Sequence, residues 1–168
     1  MTISLYTASV PVFRQILGSL ATILDKADAH VDAAKLEPNA LLQARLFPDM
    51  FPLVRQVQLA TDFAKGAAAR LAGVEVPRYE DVEHDFAGLQ ERIAKTLAFL
   101  DTVKREDVDA GSERDIVLGT GANQREFKGL PYLLHFALPN FYFHATTAYN
   151  ILRHNGLAIG KRDFIGTY

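Results

Sequence analysis

The stretch LPYLLHFALPNFYFHATTAYNILRHNG, residues 130–156, is the strongest structural signal in the chain and predicts a long helix. Residues 129–152 carry no charged side chain, and the consecutive residues 141–144 point to every side of such a helix. We expect it to begin near Pro131 and to end at Asn155-Gly156, a favourable left-handed cap. Since a helix that is apolar all round must be buried all round, the side that the bundle does not cover needs the hairpin, the loops or a second subunit.

A membrane span is one alternative for this helix, because its 24 uncharged residues would extend about 36 Å. Its polar residues argue against that alternative. The side chains of His135, Asn140, His144 and Asn150 would lie in lipid, at a cost of several kcal/mol each. Pro139 also interrupts the backbone hydrogen bonds, so the helix should kink there or receive a side-chain or water donor. We therefore predict a buried helix and no membrane partner.

The composition excludes several classes of protein. The 168 residues include 18 Lys and Arg, 20 Asp and Glu, and no Cys. A net charge of -2 without a basic run makes nucleic acid an unexpected partner. The lack of cysteine excludes disulfides, zinc–thiolate sites and a cysteine nucleophile. The first basic residue is Arg14, so we predict no signal peptide and a cytoplasmic location.

Three more helices are predicted from apolar residues at steps of three and four. The first covers residues 7–29, followed by a polar connection over residues 27–40 and a short helical piece at 41–46. The second runs from Pro52 to Ala72, where Gly73 ends it. The third begins at Glu80-Asp81, with Val82 first on its apolar face, and continues to Leu100. Its charged residues are expected on the outer faces: Glu91, Arg92 and Lys95.

A small β-hairpin is predicted before the last helix. Residues 114–118 and 124–128 are short extended runs on either side of a glycine-rich turn. The tail, residues 157–168, should be irregular. With four long helices and short connections, residues 1–168 are predicted to form one all-α domain, an antiparallel four-helix bundle with a small β-hairpin before the last helix.

The histidines of the last helix are too far apart to bind one metal ion together. His135 and His144 would lie about 13 Å apart along a helix and on opposite sides of it, and His144 and His154 about 15 Å apart. Chelation from a helix needs residues three or four apart, and the only such polar neighbour of His144 is Asn140, whose amide is a poor metal ligand. We therefore predict a buried polar cluster in which both side chains hydrogen-bond to a tyrosine or to residues of helix two: Gln56 and Gln58.

Long segments of the chain resemble the DinB/YfiT-like superfamily of metalloenzymes, and more closely a bacterial branch of it, a domain of unknown function. The similar segments are LYTASVPVF, ARLFPDMFPLVRQVQLATDFAKGAAARLAG, the last helix and IGKRDF, at residues 5–13, 44–73, 130–156 and 159–164. The resemblance implies a helical bundle with a hairpin before its last helix and a cavity between helices two and four.

In the metal-binding relatives, one histidine of helix two and two histidines four residues apart on helix four hold the ion. This chain departs from that pattern. His144 matches one position, but Asn140 stands four residues before it, and helix two has Gln56 and Gln58 instead of a histidine. The resemblance therefore implies the cavity, while the ligand set for a metal ion is incomplete.

Two functions follow from these patterns. The first is a non-enzymatic cytoplasmic homodimer, paired through the last helix, with a polar pocket that binds a small molecule without a metal cofactor. The second is a metal-dependent transferase or hydrolase, with a divalent metal ion as cofactor and His144 as metal ligand or general base. The residues assigned to the candidate pocket are His144, Asn140, Gln56, Gln58 and Asp62.

Overall fold

The computed structural model describes residues 3–168, and most of them lie in helices. In chain order the elements are α1 (Val10–Ala34), α2 (Pro38–Leu42), α3 (Leu53–Ala72), α4 (Phe86–Thr102), α5 (Arg105–Asp109), β1 (Asp115–Leu118), β2 (Arg125–Lys128), α6 (Gly129–Tyr132), a π turn (Leu133–Ala137), α7 (Leu138–His154) and α8 (Lys161–Ile165). None of the helices described is long and apolar enough to cross a membrane.

One hydrophobic core joins the long helices. α3 packs along α7 and against α4, while α1 packs against α4 and α7. Phe13 of α1 and Phe141 of α7 meet edge to face in this core, with 4.9 Å between their ring centroids. α7 is buried on this side only, because Tyr142 and Phe143 remain exposed. On α3, Val54 is half-buried, and the other residues predicted to face inward are buried: Val57, Thr61, Ala64, Ala68 and Leu71.

α1 continues to Ala34, beyond its predicted end at residue 29. The predicted polar connection was wrong over this part, because Ala27 and Val31 continue the apolar face and are buried. Lys35 ends the helix in the left-handed conformation, at φ 53°. The short piece predicted at residues 41–46 is α2, which begins earlier, at Pro38, a residue suited to the first turn of a helix.

α4 begins at Phe86 and not at Glu80-Asp81 as predicted. The Asp85 carboxylate caps the helix by accepting a hydrogen bond from a backbone N–H of the first turn at 2.7 Å. Residues 74–85, called the strap below, form no helix or strand, and Val82 is 69% exposed although it was predicted on the apolar face. Val82 has the spacing of the apolar face, but it precedes the cap at Asp85 and therefore lies outside the helix.

The predicted hairpin before the last helix is confirmed. β1 and β2 pair antiparallel, with Ile116 opposite Phe127 and Leu118 opposite Arg125. Ile116 is buried while Val117 is 53% exposed, the alternation of a sheet with one face on the core. Leu118 consequently points to the same side as Ile116, toward α3.

The last helix begins at Gly129, before the predicted Pro131, and contains a π turn directly after its first turn. This turn lies directly before Pro139, which has no backbone N–H to donate. The Asn140 side chain donates to the carbonyl of Phe136 at 2.7 Å. This side-chain donor lies beside the proline but bonds to the carbonyl of Phe136 and not to that of His135, the carbonyl for which a donor was predicted.

The tail contains α8, where irregular structure was predicted. The Asp163 carboxylate accepts a hydrogen bond from Gly160 N at 2.7 Å and pairs with Lys26 of α1 at 2.6 Å. Phe164 meets Tyr149 of α7 edge to face, with 5.8 Å between ring centroids. Such a short helix is marginal by itself, so these contacts with α1 and α7 stabilise it.

Candidate functional site

His144 of α7 and Gln56 of α3 form a buried hydrogen-bonded pair. His144 is 8% exposed, and its Nδ1 lies 2.8 Å from Gln56 Oε1. Gln56 Nε2 donates to the carbonyl of Phe51 at 3.0 Å, which leaves Oε1 as the acceptor. Nδ1 of the imidazole therefore carries the proton, and Nε2 has the lone pair. The Phe63 ring stacks on the imidazole at 5.5 Å, with 15° between the two planes.

The imidazole of His144 is neutral at pH 7. Burial lowers the pKa of His144 to about 4, and the nearby positive charge of Arg55 acts in the same direction. A group with so low a pKa is a poor general base near neutral pH. The His144 side chain can hold α7 against α3 through its Nδ1 hydrogen bond, and it can accept a hydrogen bond at Nε2.

Asn140 and Gln58, which were predicted to share a polar cluster with His144, have other partners. Asn140 donates to the backbone of the π turn. Gln58 donates to Glu83 of the strap at 2.7 Å and accepts a hydrogen bond from Arg55 at 3.2 Å. Neither side chain is hydrogen-bonded to His144.

Arg92 of α4 is the centre of a buried cluster of charges. The residue is only 3% exposed. Its Nη1 lies 2.9 Å from Glu83, and its Nη2 lies 2.8 Å from Asp62 and 3.1 Å from Asp81. Asp62 also binds Lys65 Nζ at 2.7 Å. The predicted pocket residue Asp62 therefore belongs to this cluster.

The strap explains why the prediction of an outward-facing Arg92 was wrong. Helical spacing places Arg92 three residues after Leu89, at the border of the apolar face, but does not say what covers that border. In the fold, the strap covers it with Tyr79 and two carboxylates. The Tyr79 ring lies 5.6 Å from the guanidinium of Arg92 and 4.3 Å from Lys95 Nζ.

Hydrogen bonds determine the charge state of Glu83 in this cluster. Burial by itself would raise the pKa of the Glu83 carboxyl, but hydrogen bonds from Arg92 and Gln58 outweigh that effect and hold its pKa below the usual value. Glu83 is therefore ionised at pH 7 and bonds the strap to both α3 and α4.

Phe63 also lines a cavity of about 200 Å³ between α3, β1 and the last helix. The remaining walls are Leu59, Asp62 and Arg70 from α3, Leu118 from β1, Tyr132 from α6 and Phe136 from the π turn. Phe63 and Phe136 meet edge to face, with 5.9 Å between ring centroids. Arg70 Nη1 donates to the Tyr132 hydroxyl at 3.3 Å. The cavity is thus mostly apolar, with a polar corner at Arg70 and Tyr132 and a second charged residue, Asp62, in its wall.

Neither Arg70 nor Tyr132 was predicted from the sequence as a site residue. The one signal available was Gly66, a glycine inside the predicted second helix and four residues before Arg70. Glycine is unfavourable inside a helix unless the position has a packing reason. The reason here is the approach of the Arg70 side chain.

Two of the larger cavities have a less suitable lining. A cavity of about 580 Å³ follows the strap and α4, but most of its lining is charged or polar, and two of its charged residues, Arg92 and Glu83, pair with each other. A cavity of about 460 Å³ lies on the outer face of α7, beside Tyr142 and Phe143. This second cavity is part of the exposed aromatic surface of α7.

The donor set at His144 does not fit a metal centre. Within residues 3–168, no group of three or more His, Cys, Asp or Glu side chains is placed to hold a metal ion. Catalytic metal sites in proteins commonly use three protein ligands. Around His144, the amide oxygen of Gln56 is bonded to the imidazole and the Asn140 amide donates to a helix carbonyl. Only Nε2 of His144 is left as a strong donor.

Comparison with known proteins agrees with the fold. A family model described as "Domain of unknown function (DUF1993)" matches residues 5–165. The crystal structure of a DinB family member protein from Shewanella denitrificans is similar to the chain at 39% sequence identity and a TM-score of 0.89. The similarity covers 98% of this chain and 93% of that one. No curated protein matches the chain.

Proposed function

Because the chain belongs to the DUF1993 family and has the DinB-like helical fold that its sequence predicted, we propose that it is a small-molecule-binding protein that works without a metal cofactor. The family description names no activity, so the proposal depends on the geometry of the site. We infer an antiparallel four-helix bundle from the packing of α3 on α7 and of α1 on α4. The proposed compartment is the cytoplasm, because a chain without cysteine forms no disulfides and disulfides are rare there.

The observation that carries the proposal is the cavity of about 200 Å³ beside Phe63. Ligand sites are concave and mostly apolar, with a few polar groups that orient the ligand. The cavity has this character, since aromatic and aliphatic walls meet the polar pair Arg70 and Tyr132. Sites for drug-sized molecules have about 300–1,000 Å³, so the ligand should be smaller. A π turn, which frequently marks functional sites, forms one wall.

The pair His144–Gln56 has a supporting role in this proposal. Its hydrogen bond joins α7 to α3, and the imidazole packs against the face of Phe63. Phe63 in turn is a wall of the cavity. A neutral imidazole with one protein partner suits this role, because the pair adds no net charge beside the apolar wall.

The experiment is a ligand-observed NMR screen of small aromatic and aliphatic fragments on metal-free protein. Leu118→Trp on β1 should fill the cavity and abolish binding of the fragments that bind the wild type. Val117→Trp is the matched control, since Val117 lies on the same strand but is 53% exposed and faces away. Binders that tolerate Leu118→Trp as well as Val117→Trp would contradict the proposal, as would a screen without a saturable binder.

The rival function, a metal-dependent transferase or hydrolase, is tested by elemental analysis of protein purified without an affinity tag. The observation in its favour is that the Nδ1 bond to Gln56 leaves Nε2 of His144 as an acceptor, the arrangement of many metal-binding histidines. Stoichiometric zinc, nickel or iron that is lost in His144→Ala would support the rival and refute metal-independent binding. We expect no stoichiometric metal in either protein.

A homodimer through α7 is the second part of the proposal. Its support is an exposed aromatic surface on the outer side of that helix, where Phe143 is 56% and Tyr142 39% exposed. Leu46 and Met50 lie beside these two residues and extend the surface. Contiguous apolar surface of this kind is typical of an interface between subunits.

A further inference from the structure

Arg70 stands out among the arginines of the cavity region because its guanidinium has no acidic partner. Within the described residues, it bonds to the Tyr132 hydroxyl and pairs with no carboxylate. Tyr132 is 1% exposed, and burial raises the pKa of its hydroxyl although the charge of Arg70 opposes this. The corner of the cavity therefore presents a cation and a neutral hydroxyl.

Asp62, the other charged residue of the lining, does not neutralise Arg70. Its carboxylate binds Lys65 at 2.7 Å and Arg92 at 2.8 Å. These two cations compensate the negative charge of Asp62. An anion that enters the cavity would consequently meet a guanidinium without an acidic partner at Arg70, while the charge of the Asp62 carboxylate is balanced by its two ion pairs.

Gly66 shows that the position of the guanidinium depends on space inside the fold. Gly66 is buried within α3, and a Cβ added there would lie 2.5 Å from Arg70 Nη1. Side chains on a helix lean toward its N-terminus, so Arg70 passes over Gly66, four residues earlier. The absence of a Cβ thus lets the guanidinium lie against the helix and reach Tyr132.

We propose that this cavity binds a small carboxylate with a flat apolar body, an inference that rests on the proposed ligand-binding function. The guanidinium of Arg70 donates two parallel hydrogen bonds to the carboxylate, the geometry for which arginine is suited. The Tyr132 hydroxyl lies in the same corner and donates to one carboxylate oxygen. Phe63, Phe136 and Leu118 contact the apolar body, and the volume of about 200 Å³ suits a molecule with a single ring.

The test uses benzoate as the probe and benzamide as its neutral counterpart of the same shape, in calorimetric titrations of the full-length protein. Benzoate should bind saturably and at least about tenfold more tightly than benzamide, since only benzoate accepts charge-assisted hydrogen bonds. Arg70→Met should weaken benzoate binding by about tenfold or more and bring both probes to similar affinity. Tyr132→Phe should weaken benzoate binding by a smaller factor.

Gly66→Ala separates the binding role of Arg70 from its role in folding, because both binding residues stay in the chain. The new methyl group displaces the guanidinium, while alanine favours the helix. We expect an unchanged or higher melting temperature together with benzoate binding weakened by about tenfold. Gly18→Ala in α1 is the matched control, since nothing lies within 4 Å of its added Cβ, and it should bind benzoate as the wild type does.

The outcomes distinguish this inference from the proposed function. If benzamide binds as tightly as benzoate, or if Gly66→Ala and Arg70→Met bind benzoate as the wild type does, the carboxylate site is refuted and ligand binding stands. If benzoate shows no saturable binding while neutral fragments do, the same conclusion holds. If no fragment of either kind binds, both proposals fail.

Discussion

At the scale of single residues, His144 and Arg92 are alike in that their surroundings determine their charge. Both are buried, His144 as predicted and Arg92 against the prediction of an outer face. His144 is neutral because burial outweighs its tendency to bind a proton. Arg92 stays charged in a buried position because Glu83, Asp62 and Asp81 pair with it.

The stability of the fold should fall in mild acid because of His144. Its folded pKa of about 4 lies below the unfolded value of about 6.5, so the unfolded chain binds the proton more readily. The contribution is complete above pH 6.5 and is lost as the pH falls toward 4. Between pH 7 and pH 5 we expect the wild type to lose about 2 kcal/mol of unfolding free energy that His144→Gln does not lose.

Urea denaturation of both proteins at the two pH values measures this difference. The remaining histidines are present in both proteins, and their contributions cancel in the comparison. Equal losses in wild type and His144→Gln would show that the imidazole is not held neutral by the fold.

Removal of the Arg92 guanidinium should destabilise the protein far more than removal of an exposed one. Arg92→Met leaves Glu83 and its neighbours without their buried counter-ion, which costs about 3 kcal/mol. Arg14→Met is the matched control, because Arg14 pairs with Asp101 at an exposed site where such pairs contribute less than about 1 kcal/mol. Urea denaturation at pH 7 gives both values, and similar losses would contradict the importance of the buried cluster.

At the scale of elements, the start of the last helix is fixed by close approach of two backbones. The Cβ of any residue at Gly129 would collide with the carbonyl oxygen of Gly111, after α5. Leu130 N donates to the carbonyl of Ser112 at 3.0 Å in the same place. The hairpin therefore returns the chain to the end of α5 before the last helix begins, and this contact positions α6 and Tyr132 beside the cavity.

Gly129→Ala should test this junction. The added methyl group meets backbone atoms and not a flexible side chain, so the chain must move, at a cost of about 1–3 kcal/mol. Gly18→Ala, with open space around its added Cβ, should instead stabilise α1 by about 0.5–1 kcal/mol. Opposite signs in urea denaturation are the expected result. A neutral Gly129→Ala would show that the two backbones are not in close contact.

At the scale of the whole molecule, α7 has two different faces. One face carries Phe141 and His144 into the core, and the other exposes Phe143 and Tyr142. The segment between α2 and α3 adds Leu46, which is 38% exposed and lies beside these two aromatic residues. Burial of this surface in a dimer would give the last helix the apolar surroundings that its composition requires on every side.

Substitution of the exposed aromatic residues should dissociate the proposed dimer. Phe143→Glu or Leu46→Glu would place charge in an interface that needs about 1,200 Å² or more of well-packed surface, so both should be monomers. Val117→Glu, at an exposed apolar site on the hairpin, should leave the dimer intact. Light scattering after size-exclusion chromatography measures the mass of each variant. A monomeric wild type at micromolar concentration would contradict the proposal.

Much of the fold follows from the order of residues alone, because it depends on local features. Periodicity of about 3.6 residues predicted the long helices, Gly73 predicted the end of α3 with its left-handed backbone, and two extended runs predicted the hairpin. The DinB-like resemblance was also present in the sequence and is confirmed. The errors at the start of α4 and the end of α1 arose where a cap or an additional buried residue outweighed the predicted boundary.

The site required the folded chain, because its contacts join residues that are far apart in the sequence. Gln56 meets His144 across 88 positions, and Arg70 meets Tyr132 across 62. No periodicity of a single helix specifies which residues of another helix it will face. The strap likewise buries Arg92 only once α3 and α4 lie side by side. Burial and the choice of hydrogen-bond partner are properties of packing between elements. Packing therefore decides the pKa of His144, and it places the Arg70 guanidinium beside the Tyr132 hydroxyl and without an acidic partner.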